Sequence, residues 1–107
     1  MSATMLEKIE DRYRARTQRS AALYREACRV IPAGLTHDSR TTLPYPIYAA
    51  RGAGPRKWDV DGNEYVDYFG GHGALLLGHS HPAVVAAVRE QVALGTHFGS
   101  AHELEVR

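Results

Sequence analysis

Hydrophobic positions along this chain change their period twice. Over residues 5–31 they recur at helical spacing, with Leu6, Ile9 and Tyr13 forming a short stripe. Leu23, Tyr24, Ala27, Val30 and Ile31 form a longer one. Between them RARTQRS is polar on every side, so the pattern predicts two helical pieces with a break at Thr17 or Ser20, both good N-caps. Arginines 12, 14, 16 and 19 stand beside Glu7, Glu10 and Asp11, a mixture that suits a solvated helix face better than a phosphate site. Pro32 and Gly34 stop the helix. Residues 35–46 (LTHDSRTTLPYP) have no period; they are polar around Arg40 and then extended through Pro44 and Pro46.

From Ile47 onward the pattern shortens to strands. Ile47–Arg51, Arg56–Val60 and Glu64–Phe69 read as three of them, joined by turns at Gly52-Ala53-Gly54-Pro55 and Asp61-Gly62-Asn63. The expected arrangement is an antiparallel meander. Gly70, Gly71 and Gly73 then surround His72, so backbone without side chains flanks one titratable ring and something can approach closely. After the apolar run Ala74–Leu77, Pro82 is placed as the first residue of a helix carrying Val84, Val85, Val88 and Val92 and stopping at Gly95. Ser100 and Glu103 fit a capping box for a last helix from about Ala101. Seven residues without a stop signal do not make a stable helix, so the chain reads as the front portion of a longer protein. The fold class is α+β.

Composition narrows the partners. With 107 residues, 44% hydrophobic and 23% charged, the chain forms at most one small domain. A net charge of +1 argues against nucleic acid or an anionic membrane as the main partner. No apolar run approaches the ~20 residues of a membrane span, and the N-terminus lacks the apolar centre of a secretory signal. Cys28 is the single cysteine, which with the rest points to a cytoplasmic protein; its register beside Tyr24 and Ile31 reads as a packed small hydrophobe.

Candidate chemistry is sparse. Asp59-x-Asp61-x-Asn63 begins like a calcium loop, but its sixth position is Glu64 rather than glycine, and the hairpin reading prevails. His72, His79, His81, His97 and His102 lack the spacing of a zinc site; His79 and His81 suit helix capping or backbone hydrogen bonding, and a histidine metal module is the weakest reading. The serines have no nucleophile elbow, and GGHG is no dinucleotide fingerprint. Arg40, in a loop between Gly34 and Pro44, is either a bidentate clamp for a carboxylate or a surface arginine paired with Asp38 or solvent.

Three blocks in order carry a resemblance: RVIPAG followed by a loop with an arginine, then ARGAGPRKWDVDGNEYVDYFGGHGALLLGHSHPAVVAAVREQ, then GTHFGSAHELE. Together they resemble the start of the class III aminotransferases, most closely the glutamate-1-semialdehyde aminomutase-like branch, over about residues 17–107. Residues 1–16 then form an N-terminal extension. The resemblance implies part of the small domain of a fold-type I pyridoxal-phosphate enzyme, a homodimer that moves an amino group between an amino acid and a carbonyl acceptor. It places Arg40 on the substrate carboxylate and His72, with Gly71 and Gly73, in the pocket wall. Histidine at 72, where the aminomutases often have tryptophan, favours a different amino donor. The Thr96–Ser100 loop resembles one that approaches the active site or the dimer partner. The family's Schiff-base lysine, its aspartate for the pyridine nitrogen and its phosphate loop match nothing in this sequence: Lys8 precedes the resemblance and Lys57 precedes Trp58 in a strand. No residue is therefore assigned to catalysis or to the cofactor, and the 107-residue chain alone is expected to be inactive. The alternative is a non-enzymatic module that associates with itself through uncovered apolar faces.

Overall fold

Thr17 breaks the long N-terminal helix. In the computed structural model, which describes residues 4–106, helix α1 runs Met5–Arg16 and α2 runs Gln18–Val30. Thr4 and Glu7 cap α1 reciprocally. Thr17 does not cap α2; its hydroxyl donates to the Tyr13 carbonyl at 2.7 Å and meets the Tyr45 hydroxyl at 3.1 Å. The cap comes from the far hairpin instead. The Asp61 carboxylate accepts the backbone N–H of Arg19 at 2.7 Å and of Ser20 at 3.0 Å, and the Ser20 hydroxyl at 2.8 Å. A turn residue of the meander thus fixes the entry of a helix.

The meander forms as the pattern predicts, with strands β1 (Ala49–Ala53), β2 (Arg56–Asp59) and β3 (Glu64–Val66) in the order β1-β2-β3, all antiparallel. β1 begins at Ala49 rather than Ile47 and β2 ends at Asp59 rather than Val60, and two further ends differ with a visible cause. β1 keeps Gly52 and Ala53, which the sequence assigns to the turn, because the His79 ring lies against Gly52: a Cβ there would stand 2.5 Å from the ring. β3 stops at Val66 rather than Phe69, because the Asp67 carboxylate accepts the N–H groups of Phe69 and Gly70 and turns the chain out of the sheet.

Helix α3 spans Pro82–Val92 and starts at proline as expected. The capping box predicted for Ser100 and Glu103 is not formed. The Phe98 and His102 rings stack 4.9 Å apart, and His102 takes the cap position of a 3-10 turn at Glu103–Glu105. Its ring accepts the Leu104 N–H, and its own N–H donates to Glu105 at 3.0 Å. Cys28 also departs from expectation: it is exposed, although Tyr24 hydrogen-bonds to it and the Gly34 turn lies close to its sulfur.

Polar groups fill the interior. Among the described residues Tyr45 is the buried hydrophobic residue, beside buried Thr17, Ser20 and Asp59. Apolar side chains stand out in solvent, including the α3 line Val84, Val88 and Val92, and Tyr68 at 95% exposure. Among the described residues no helix is long and apolar enough to cross a membrane.

Candidate functional site

The glycine-rich loop after β3 has an unusual backbone. Gly70, Gly71, His72 and Gly73 take φ of 51°, 59°, 62° and 81°, four left-handed residues in succession. Glycine adopts this conformation at no steric cost, whereas His72 carries its ring there with some strain. The Gly73 N–H closes on the Phe69 carbonyl at 3.0 Å and the Leu75 N–H on that of Gly70 at 3.0 Å. The result is an exposed tip that presents His72 between two backbone segments without side chains.

A second segment meets that tip. The short turn Asp38–Arg40 begins at His37, whose ring nitrogen accepts the Ser39 N–H at 3.1 Å. The His37 ring meets His72 edge-on, 5.5 Å between centroids, and Phe69 lies 4.4 Å from His72 on another side. The structure therefore brings the Arg40 turn and the His72 loop together through His37. Arg40 is exposed, and its guanidinium donates to the Thr36 hydroxyl at 2.6 Å. Among the described residues it forms no ion pair, so the pairing with Asp38 left open by the sequence is not made. The geometry leaves a cation at the site with one neutral partner, an arrangement suited to an anionic group.

Sequence reasoning passed over the residue that holds this loop. The Asp67 carboxylate, 4% exposed, accepts His79 Nε2 at 2.6 Å, Lys57 Nζ at 3.1 Å, and the backbone N–H of Phe69 and Gly70 at 3.1 and 3.3 Å. His79 and then Lys57 hold its carboxyl far below the ordinary aspartate range, against the opposing push of burial. The signal lay in strand register: Lys57 pairs with Tyr65, which puts Asp67 diagonally across from it. Of the two expectations for His79, helix capping is not met and backbone hydrogen bonding is. His79 forms an antiparallel bridge to Gly54, with N–H to O distances of 2.9 and 2.8 Å. His81 sits at the cap position of α3 without a side-chain hydrogen bond, and its Nδ1 is buried without a partner.

Asp59 organises the hairpin. Its carboxylate accepts Asp61 N–H at 3.0 Å, Asn63 N–H at 2.8 Å, Asn63 Nδ2 at 2.9 Å and the Tyr65 hydroxyl at 2.7 Å. Burial alone would raise its pKa, but hydrogen bonds from Asn63 and Tyr65 outweigh it and the value falls. Tyr65 is pushed strongly upward by burial and by the same bond.

Lys57 is committed to Asp67, Lys8 stands exposed on α1, and Asp59, Asp61 and Asp67 are all engaged by hydrogen bonds. Among the described residues no group of three or more His, Cys, Asp or Glu side chains could hold a metal ion.

The family model "Aminotransferase class-III" matches residues 37–105. Glutamate-1-semialdehyde 2,1-aminomutase 2 of Brevibacillus brevis is 45% identical over 91 residues, covering 82% of this chain and 21% of the relative. A solved transaminase with pyridoxal phosphate bound superposes with a TM-score of 0.78 at 41% identity, over 84% of this chain and 21% of that one. A β-phenylalanine aminotransferase from Variovorax paradoxus gives 0.79 at 28% identity, over 89% and 22%. The chain thus spans about a fifth of the length of these relatives.

Proposed function

This chain belongs to the class III aminotransferase family, and from that premise we propose that it supplies the carboxylate-binding wall of an amino-transfer site. The family consists of fold-type I enzymes that depend on pyridoxal phosphate, and this α+β chain corresponds to an N-terminal segment of one. The bound cofactor supplies an electron sink for a carbanion. The residues here serve the other side of the reaction. Arg40 holds a carboxylate of the substrate, and His72, between Gly71 and Gly73, walls the pocket where the substrate approaches.

One observation carries the reading: the exposed Arg40 guanidinium, without an acidic partner, stands in a turn that touches the His72 loop through His37. A histidine at 72 supports an amino acid donor other than the semialdehyde of the aminomutases. Cytoplasmic location and a homodimer belong to the same reading, and the exposed Val84, Val88 and Val92 of α3 support burial of that face against further protein. The 107-residue chain alone holds no cofactor: incubated with pyridoxal phosphate and then desalted it stays colourless, and a yellow protein whose borohydride reduction leaves label on Lys57 or Lys8 would refute this.

Arg40→Ala tests the clamp in an active enzyme carrying this segment. The expected result is a KM for carboxylate-bearing donors raised at least ~10-fold, the scale of one charged hydrogen bond, with a smaller change in kcat. Unchanged constants for every such donor would remove the role. The same exposed apolar side chains would also suit the self-associating module. Size-exclusion chromatography of the chain separates the two readings, since sharply defined oligomers without any effect of Arg40→Ala in the enzyme favour the module.

A further inference from the structure

Asp67 is the point at which the glycine loop is anchored to all three strands. It follows directly on β3. It pairs with Lys57 of β2, and through His79 it reaches β1, because that ring lies over Gly52 and the His79 backbone bridges Gly54. Ser80 adds a hydrogen bond from its hydroxyl to the Gly52 carbonyl at 2.9 Å. Gly78 also lies flush on Gly54, where a Cβ would stand 2.8 Å from the carbonyl oxygen. Residues 67 and 79 are thus the two feet of one loop, joined by a single contact of 2.6 Å, and His72 is at its tip.

Beyond its own two backbone hydrogen bonds and the ring contacts of His72 with Phe69 and His37, the tip has no support from the sheet except at these feet. Residues 71–77 are exposed, and four consecutive left-handed residues give no regular structure to lean on. What fixes the direction of His72 is the closure at the feet together with the Phe69 and Gly70 N–H groups, both of which bond to the same carboxylate.

We propose that Asp67, with His79 as its partner, is a positioning residue for substrate recognition: it closes the 67–79 loop so that His72 meets His37 and the Arg40 turn. The inference rests on the reading of Arg40 and His72 as the substrate wall, which it deepens by assigning the group that aligns them. Lys57 neutralises a carboxylate that is 4% exposed and His79 hydrogen-bonds to it, which makes the closure rigid without an apolar core beneath it.

The experiment has two readouts. The first is amide hydrogen exchange and the His72–His37 ring contact by NMR in the 107-residue chain, for Asp67→Asn and His79→Gln. Expected in Asp67→Asn is faster exchange of the Gly73 and Leu75 amides by about tenfold or more, as follows from losing a charged hydrogen bond, with loss of the ring contact. The Asp61 and Asn63 amides, held by Asp59, stay unchanged. Unaltered loop exchange with the ring contact intact would overturn the proposal. Should Asp67→Asn also free the Asp61 and Asn63 amides, His79→Gln decides, because it keeps a donor at the foot of the loop: partial opening supports the role and none overturns it. The second readout is kinetic, with glutamate as the probe donor in an active enzyme carrying this segment. Asp67→Asn raises KM more than it lowers kcat, and His79→Gln, which keeps a donor at the foot of the loop, raises KM less. A KM effect of Asp67→Asn without one from Arg40→Ala would mean that the loop is positioned but that Arg40 is not the clamp. The reverse would retain the clamp and discard the positioning role.

Discussion

Two aspartates with buried carboxylates, eight residues apart at the meander, do different work. Asp59 gathers two backbone N–H groups, an amide and a phenol, all from residues 61–65 and all neutral. Asp67 gathers two backbone N–H groups as well, but its side-chain partners are Lys57 and His79, from another strand and from the far end of a loop. The first arrangement folds a turn upon itself and offers the adjacent Asp61 as a cap for α2. The second ties distant pieces through charge. Local and neutral satisfaction makes scaffold, whereas charged closure at long range makes a device that sets where a loop tip points.

The contrast can be broken from either side. Asp59→Ala should have the largest effect on stability, about 3 kcal/mol, because it strands the Tyr65 hydroxyl and the Asn63 amide in a buried turn. Chemical denaturation measures it. An Asp59→Ala loss smaller than that of Asp67→Asn would reverse the roles assigned above.

Acid dependence comes next. The Asp67 pKa is lowered on folding, so its contribution is present above the unfolded aspartate value of ~3.9 and fades as pH falls below it. Asp59 and Asp61 shift in the same direction, so the unsubstituted chain loses stability on acidification below about pH 4. Unfolding curves measured across that range should be flatter for Asp67→Asn, and equal slopes would contradict the charged closure.

Gly52→Ala sharpens the comparison at lower cost. A methyl group there meets the His79 ring and should destabilise by about 1–3 kcal/mol, with the damage confined to the 67–79 loop and β1. Hairpin amides at Asp61 and Asn63 that exchange faster would show that the two regions are not separately held.

Much of this was legible in the sequence, and the misses share a cause. Helical spacing, the Thr17 break, the Asp61-Gly62-Asn63 turn and the helix starting at Pro82 depend on local chemistry, and each formed where the pattern placed it. Strand ends, the C-terminal cap and Cys28 exposure did not follow the local pattern. Gly52 stays in β1 because His79 docks on it, and Ser100 lost the cap to His102 because Phe98 stacks on that ring. Such contacts join residues far apart or compete between neighbours, which local propensity does not rank. At the candidate site the glycine tip and Arg40 stood out by composition. His37 and Asp67 did not, since their significance lies in what the fold brings to them.

Under the proposed function Arg40 and His72 work on one substrate group, from two segments that meet through His37. A double-mutant cycle in an active enzyme carrying this segment tests it most directly, using Arg40→Ala and His72→Asn, since asparagine tolerates the left-handed backbone at 72. The two losses in kcat/KM for a carboxylate-bearing donor should fall short of additivity or exceed it by at least ~0.5 kcal/mol. Losses that multiply independently would contradict it, placing Arg40 and His72 on separate tasks.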